Sequence, residues 1–207
     1  MQKTTLSCSL LLLLFGTLAA SPVRTVADFR TPERWEVKAP AQVSVSFRPD
    51  GLLRLDWKKA DKPSVVELNL KEPVPVQPEA QRAGLKLFVE TPMDRNKLSL
   101  VFTDREGTRF TYPLPELEKW ARNWRYIDTY AFDANEMGRM HPLVGKADKP
   151  GSPLPVRPLK FAGVRIEAPA DAAGSWLLDE VRSDAYRLGS ATDHWALNLP
   201  GERYWMT

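Results

Sequence analysis

Along most of this chain apolar residues recur at every second position, and the 3.6-residue period of an amphipathic helix is nearly absent. Val43, Val45 and Phe47 alternate with Ser44, Ser46 and Arg48, and Leu53, Leu55 and Trp57 alternate with Arg54, Asp56 and Lys58. Successive side chains of a strand point to opposite faces, so a chain patterned this way must bury one face of each strand against a second sheet. The fold class that follows is all-β, built from antiparallel sheets. Pro49-Asp50-Gly51 separates the two runs and predicts a hairpin closed by a type I turn with a bulge.

Further strands obey the same rule. Val66, Leu68 and Leu70 mark one, Leu85 to Glu90 and Leu98 to Thr103 mark two more, and Asp104-Arg105-Glu106-Gly107 turns tightly into Thr108 to Tyr112. The segment Pro73-Val74-Pro75-Val76-Gln77-Pro78 lacks a ladder donor at each proline, which assigns it to an edge or a crossing loop. Pro115 to Trp120 is short enough for a single helical turn before a strand that opens at Trp124. Phe161 to Ile166, and Leu177 to Arg182 entered through Gly174-Ser175-Trp176, read as the closing strand pair. Asp179 and Glu180 are expected on opposite faces of the last strand. Trp35, Trp57 and Trp176 fall on apolar sides and are expected in the core.

Residues 1–20 have the layout of a cleavable secretory signal: Lys3, an apolar run from Leu10 to Phe15, then Ala19-Ala20 before Ser21-Pro22, with cleavage expected after Ala20. The run is too short to span a bilayer and no later stretch approaches that length. The mature chain is therefore expected to be secreted or periplasmic, without a membrane span. Cys8 is the one cysteine and lies inside the signal, so no disulfide can staple the mature fold. Its stability must come from the core. Losing the signal removes Lys3 and no acid, which leaves 28 basic against 26 acidic residues. Acids and bases alternate throughout, without the basic stripe of a nucleic-acid binder.

The organisation expected is a signal peptide over 1–20, a β-sandwich domain over 21–188 and an aromatic C-terminal tail over 189–207. Within the domain, residues 133–158 carry proline, glycine and His141 without a consistent period. Connections of that length are usually functional lids or insertions, and this one is expected to flank the binding face. The tail contains Trp195, Tyr204 and Trp205 and is too apolar for a solvated linker.

In order and spacing, Asp28-Phe29 with Trp35, the run Leu98 to Asp104 with its Gly107 turn, Trp124-Arg125-Tyr126-Ile127, and Leu177 to Val181 resemble the galactose-binding-like jelly roll of many carbohydrate-binding modules. The resemblance covers residues 27 to 188. It implies a jelly-roll β-sandwich of two antiparallel sheets that binds a polysaccharide or oligosaccharide without catalysis, within a polysaccharide-degrading system and beside a partner or fused enzyme. It also implies a structural calcium bridging the first and last strands, since that hard cation takes six to eight oxygens. Asp179 matches the acidic position of the last strand, with Asp28 facing it. Arg30 stands where the family often carries an acid, and could pair with Asp179 or Glu180 in place of the ion. Trp124 matches a position that packs the end of the sandwich.

Trp124, Tyr126, Asp128 and Tyr130 share one face of their strand, while Ile127, Thr129 and Ala131 share the other. The small and apolar set belongs inside, which places Tyr126, Asp128 and Tyr130 on the outer, concave face. Aromatic rings stack on the C–H faces of pyranoses while charged side chains meet the hydroxyls, so both types are needed within one sugar length. Lys86, Phe88 and Glu90 on one neighbouring strand, and Arg109 and Thr111 on another, extend this surface. Trp120 is either a platform at the rim or part of a helical turn folded on the sandwich. The candidate ligand-binding set is thus Tyr126, Asp128, Tyr130, Lys86, Glu90, Arg109 and Trp120, with Asp28 and Asp179 as candidate metal ligands.

Two alternatives stand beside this reading. One is a polysaccharide lyase or hydrolase on the same scaffold, with His141 and Tyr126 or Tyr130 exchanging the proton. The other is an extracytoplasmic protein-interaction scaffold, which the fold class accommodates equally. Serine-nucleophile, phosphate-loop, dinucleotide and H-E-x-x-H zinc motifs are missing from the sequence. Glycoside hydrolysis needs two carboxyls facing each other across the scissile bond, and the adjacent pair Asp179-Glu180 is expected to diverge.

Overall fold

Gly51 and Gly107 close two hairpins of one design. At the first, Gly51 has φ +85 and donates to the Arg48 carbonyl (3.0 Å), while Arg48 N–H donates to the Leu52 carbonyl (2.8 Å). At the second, Gly107 has φ +76 and donates to the Asp104 carbonyl (3.1 Å), while Asp104 N–H donates to Thr108 (2.9 Å). Both are type I turns followed by a bulge whose left-handed residue is glycine, because a side chain there would strain the backbone. The first agrees with the sequence expectation in detail.

The structure is a computed structural model and describes residues 24–78, 80–91, 95–115, 124–129, 132, 145–149 and 154–184. Among these, twelve strands run in chain order: β1 (Arg24–Asp28), β2 (Trp35–Lys38), β3 (Val43–Phe47), β4 (Leu53–Trp57), β5 (Ser64–Pro75), β6 (Arg82–Val89), β7 (Lys97–Thr103), β8 (Arg109–Pro113), β9 (Trp124–Asp128), β10 (Lys146–Ala147), β11 (Lys160–Ala168) and β12 (Gly174–Asp184). One 3-10 turn, Pro32–Arg34, precedes β2. Among the described residues no helix is long and apolar enough to cross a membrane. Residues 1–20 expected as a signal, the tail over 189–207 and His141 lie outside the described residues.

The strands form two antiparallel six-stranded sheets, a jelly-roll β-sandwich. Sheet A has the order β3-β4-β12-β6-β9, with β1 also paired to β12, and sheet B has the order β10-β8-β7-β11-β5-β2. β11 and β12 are consecutive in the chain yet belong to different sheets, so the expected closing pair is not a hairpin. Each strand instead lies inside its own sheet, and the five residues between them cross the sandwich. Period-two alternation tells which side of a strand is buried but is silent about which sheet the strand joins.

The proline segment is strand, not loop, up to Pro75. β2 pairs with β5 only between Glu67 and Leu70, so both prolines lie beyond that partner: Pro75 stands opposite Lys160 of β11, and Pro73 falls in the irregularity between Asn69 and Val74. The edge reading therefore holds, and a missing donor on the open side costs nothing. Part of the long connection is also strand: Lys146 and Ala147 pair with Thr111 and Phe110 of β8. This described part lies along the edge of sheet B and not beside the outer face of sheet A, correcting the expected flanking position.

Between the sheets sits an aromatic core. Trp176 is fully buried and lies 5.3 Å from the Trp57 ring, and Phe29 stacks on Trp35 at 4.8 Å. Trp35 Nε1 donates to the Asp28 carbonyl (3.0 Å). Phe102 gathers Tyr112, Phe132 and Phe161 around it at 4.9 to 5.6 Å. The three tryptophans expected in the core are there.

Asp104 ties the second hairpin to a distant segment. Its largely buried carboxylate accepts N–H bonds from Glu106 (3.0 Å), Thr108 (2.8 Å) and, 52 residues away, Val156 (3.1 Å). Hydrogen bonds to a charged acceptor contribute more than neutral ones, and stranded donors are costly. Asp104→Ala should therefore lower the unfolding free energy by about 2–3 kcal/mol, read from the urea midpoint at an unchanged m-value.

Candidate functional site

The outer face of sheet A carries nearly all the chemistry predicted from sequence that falls on described residues. Leu85, Leu87 and Val89 of β6 point into the core, as does Ile127 of β9. Alternation then sends Lys86 and Phe88 of β6, Trp124, Tyr126 and Asp128 of β9, and Arg54 and Asp56 of β4 outward. Glu90, just past the end of β6, joins them through Arg54.

Register aligns these residues in rows across the strands. Arg54 stands opposite Leu177, Leu177 opposite Phe88, and Phe88 opposite Trp124. The row is apolar except at its Arg54 end. The Phe88 and Trp124 rings are 5.6 Å apart and tilted by 50°, and both are half-buried. Three strand spacings separate Arg54 from Trp124, about 14 Å. Trp124 thus belongs to the face and does not pack the end of the sandwich. Its place follows from the same alternation that places Tyr126 and Asp128.

A charged network closes the Arg54 end of the row. Arg54 Nε donates to Asp56 (2.9 Å) and its Nη atoms to Glu90 (3.0 and 3.1 Å) and Ser175 (3.2 Å), while Ser175 Oγ donates to Asp56. Burial pushes the Asp56 carboxyl up, but hydrogen bonds from Arg54 and Ser175 outweigh it and hold Asp56 below the usual carboxylate range.

A β-bulge in β12 decides where the acids go. Leu178 pairs with Leu87 and Val181 with Leu85, so two residues, Asp179 and Glu180, stand opposite the single Lys86. Leu178 and Val181 both point inward, and both acids emerge outward, against the expectation that they diverge. Asp179 pairs with Lys86 (3.1 Å). Glu180 is bonded by Arg182 and by Thr25 Oγ1 (2.8 Å). Lys86 Nζ also sits 5.4 Å from the centre of the Trp124 ring, within reach of a cation–π attraction.

The register does not set Asp28 opposite Asp179, the two acids that the family resemblance implies as calcium ligands. In the β1–β12 register Asp28 lies opposite Glu180, and its Oδ1 accepts the Arg30 N–H (3.1 Å), while Asp179 is paired across the other edge of β12. Among the described residues no three His, Cys, Asp or Glu side chains converge. Arg30 does not take the ion's place either: its side chain lies against Gly51, where an added Cβ would meet its Cγ at 2.7 Å.

Tyr126 is on the outer face but is not an open platform. It lies across Gly84, where a Cβ would come within 2.4 Å of the Tyr126 ring and of Asp128 Oδ1. Arg182 covers it at 5.8 Å. Its hydroxyl is buried. Burial, reinforced by Asp128, pushes that hydroxyl well above the ordinary tyrosine value despite the opposing Arg182 charge. The glycine that creates the hole is on another strand, so β9 alone could not reveal it.

Arg109 is on the other side of the molecule. It belongs to β8 of sheet B, and its Nη2 donates to Asn69 Oδ1 (2.7 Å) on β5. Tyr130 and Trp120 lie outside the described residues.

No protein-family model matches the chain, and no curated protein matches its sequence. Solved structures do resemble it. CtCBM11, in its solution structure, is 10% identical with a TM-score of 0.50, covering 83% of this chain and 99% of that one. The chain has the fold of a carbohydrate-binding module. A family 11 module from Clostridium thermocellum, in complex with a β-1,3-1,4-mixed-linked tetrasaccharide, is 11% identical with a TM-score of 0.49 over 78% of this chain and 95% of that one. A family 29 module is 9% identical with a TM-score of 0.39, over 79% and 92%.

Two expectations follow from the packing. Gly84→Ala should force the Tyr126 ring out of its seat and cost about 1–3 kcal/mol, as overpacking does, and adding Tyr126→Ala should relieve much of that loss in chemical denaturation. Glu180 supplies the pH dependence. Burial raises its pKa, but bonds from Arg182 and Thr25 outweigh this and hold it below the ordinary 4.5. A depressed folded value gives stability that is present above the unfolded pKa and lost as pH falls through the folded one. Glu180→Gln should melt earlier than the parent at pH 7, with the difference closing below about pH 4.5 in a series of thermal melts.

Proposed function

We propose that this chain is an exported, non-catalytic glycan-binding module that holds an extended polysaccharide on the outer face of sheet A, in support of a polysaccharide-degrading system. The carrying observation is the cross-strand row Leu177, Phe88 and Trp124, bordered by hydrogen-bonding side chains at both flanks. Half-buried rings are anchored by their strand neighbours yet keep a face for the C–H side of a sugar. Lys86 and the Arg54, Asp56, Glu90 and Ser175 network supply fixed donors and acceptors for hydroxyls. The signal-like residues 1–20 support export, and the mixed-linked tetrasaccharide held by the family 11 module makes a neutral β-glucan the first ligand to test.

Asp56 and Glu180 are poorly suited to acid catalysis of hydrolysis. A general acid needs a raised pKa, whereas Glu180 and Asp56 are both held low. Tyr126, with its hydroxyl buried and its pKa raised, is likewise a poor proton acceptor near neutral pH.

Affinity electrophoresis of the mature protein in gels containing mixed-linked β-glucan tests the proposal. The parent should be retarded, and the Phe88→Ala, Trp124→Ala double variant should run freely while its melting temperature falls by only about 2–5 °C. Retention of binding by a folded double variant would refute the row as the site.

A further inference from the structure

We infer that Asp179 sets the charge selectivity of this face, restricting it to uncharged sugars by neutralising Lys86 beside the aromatic row. The inference rests on the glycan-binding reading and goes beyond it to the class of polymer accepted. Lys86 lies 5.4 Å from the centre of the Trp124 ring and is about three-quarters buried. Left bare, such an ammonium beside a sugar platform would attract the carboxylate of a uronic acid, because opposite charges at a partly desolvated site interact more strongly than in open water.

The bulge in β12 prevents this. It sets two consecutive acids opposite Lys86 where a regular strand would present one, and Asp179 reaches the ammonium at 3.1 Å. Glu180 lies beside it and is occupied by Arg182. The other cation of the row, Arg54, is divided between Asp56 and Glu90. An approaching uronate therefore meets cations that already have carboxylate partners, and Asp179 and Glu180 repel it. Rejection of this kind gives specificity through an unfavourable contact with the wrong ligand. A neutral glycan meets no such barrier and still finds hydrogen-bonding groups.

Asp179→Asn preserves the shape of the side chain and one acceptor oxygen while releasing the lysine charge. In affinity electrophoresis and titration calorimetry the parent should bind mixed-linked β-glucan and ignore polygalacturonate. The Asp179→Asn variant should keep its β-glucan affinity within about threefold and gain at least about tenfold in polygalacturonate affinity, with the gain disappearing near 0.5 M salt, where exposed charges are screened. Adding Lys86→Gln should abolish the gain, and Glu67→Gln, which raises the net charge equally but on sheet B, should produce none, which separates release of the lysine from a general change in net charge. Melting curves establish that each variant is folded. A parent that binds polygalacturonate as tightly as β-glucan, or a folded Asp179→Asn variant that gains nothing, overturns the inference while leaving glycan binding intact. Failure of the parent to bind any neutral glycan overturns both.

Discussion

Double-sided pairing of β12 is the constraint on which sheet A depends. β6 pairs along nearly all of one edge, while β4 holds the first half of the other edge and β1 takes over for the second. The inward side of the strand delivers Trp176, Leu178 and Val181 to the core, and the outward side delivers Leu177, Asp179, Glu180 and Arg182 to the face. One strand thereby sets both the interior and the binding surface. β6 pairs with β12 on both sides of the bulge, while on the other edge β4 ends before it and β1 begins at Glu180.

That bulge also explains the electrostatic character of the face. Its cations and anions come from four strands, yet Arg54, Lys86 and Arg182 each end on a carboxylate across or along β12. In such largely buried pairs the lost hydration offsets much of the attraction, although removing one partner alone is costly. Their effect is to hold long side chains in defined positions around the apolar row, so that hydrogen-bonding groups are oriented before a ligand arrives and less freedom is lost on binding. Tyr126 serves the same order from beneath. Seated over Gly84 and covered by Arg182, it fills the floor of the sheet and does not offer its ring to a ligand.

Local patterns were readable from the chain and non-local ones were not. Turn chemistry at Pro49-Asp50-Gly51 and Asp104 to Gly107 announced both hairpins, and alternation alone put Trp57 and Trp176 inside and Lys86, Phe88, Tyr126 and Asp128 on one outer face. Misreadings came where a second strand decides the outcome. Arg109 was placed on the wrong sheet because alternation carries no sheet identity. Tyr126 was expected to stand free because the space it falls into belongs to Gly84. Asp179 and Glu180 were expected to diverge because strict period two has no room for a bulge. Trp124 was the opposite case: its own alternation placed it on the face, and a family position that packs the sandwich end drew it away from its neighbours.

The position of β12 in the chain has a temporal consequence. This central strand occupies residues 174–184, so the segments that become β1, β3, β4, β6 and β9 are all synthesised before the strand that joins them exists. Sheet A has no centre to assemble on until then, and its pairings span most of the domain, a topology that folds slowly. Sheet A therefore cannot be completed until translation has passed residue 184. Closure of sheet A is thereby deferred to its last-made strand, and the order of the strands acts as a timer.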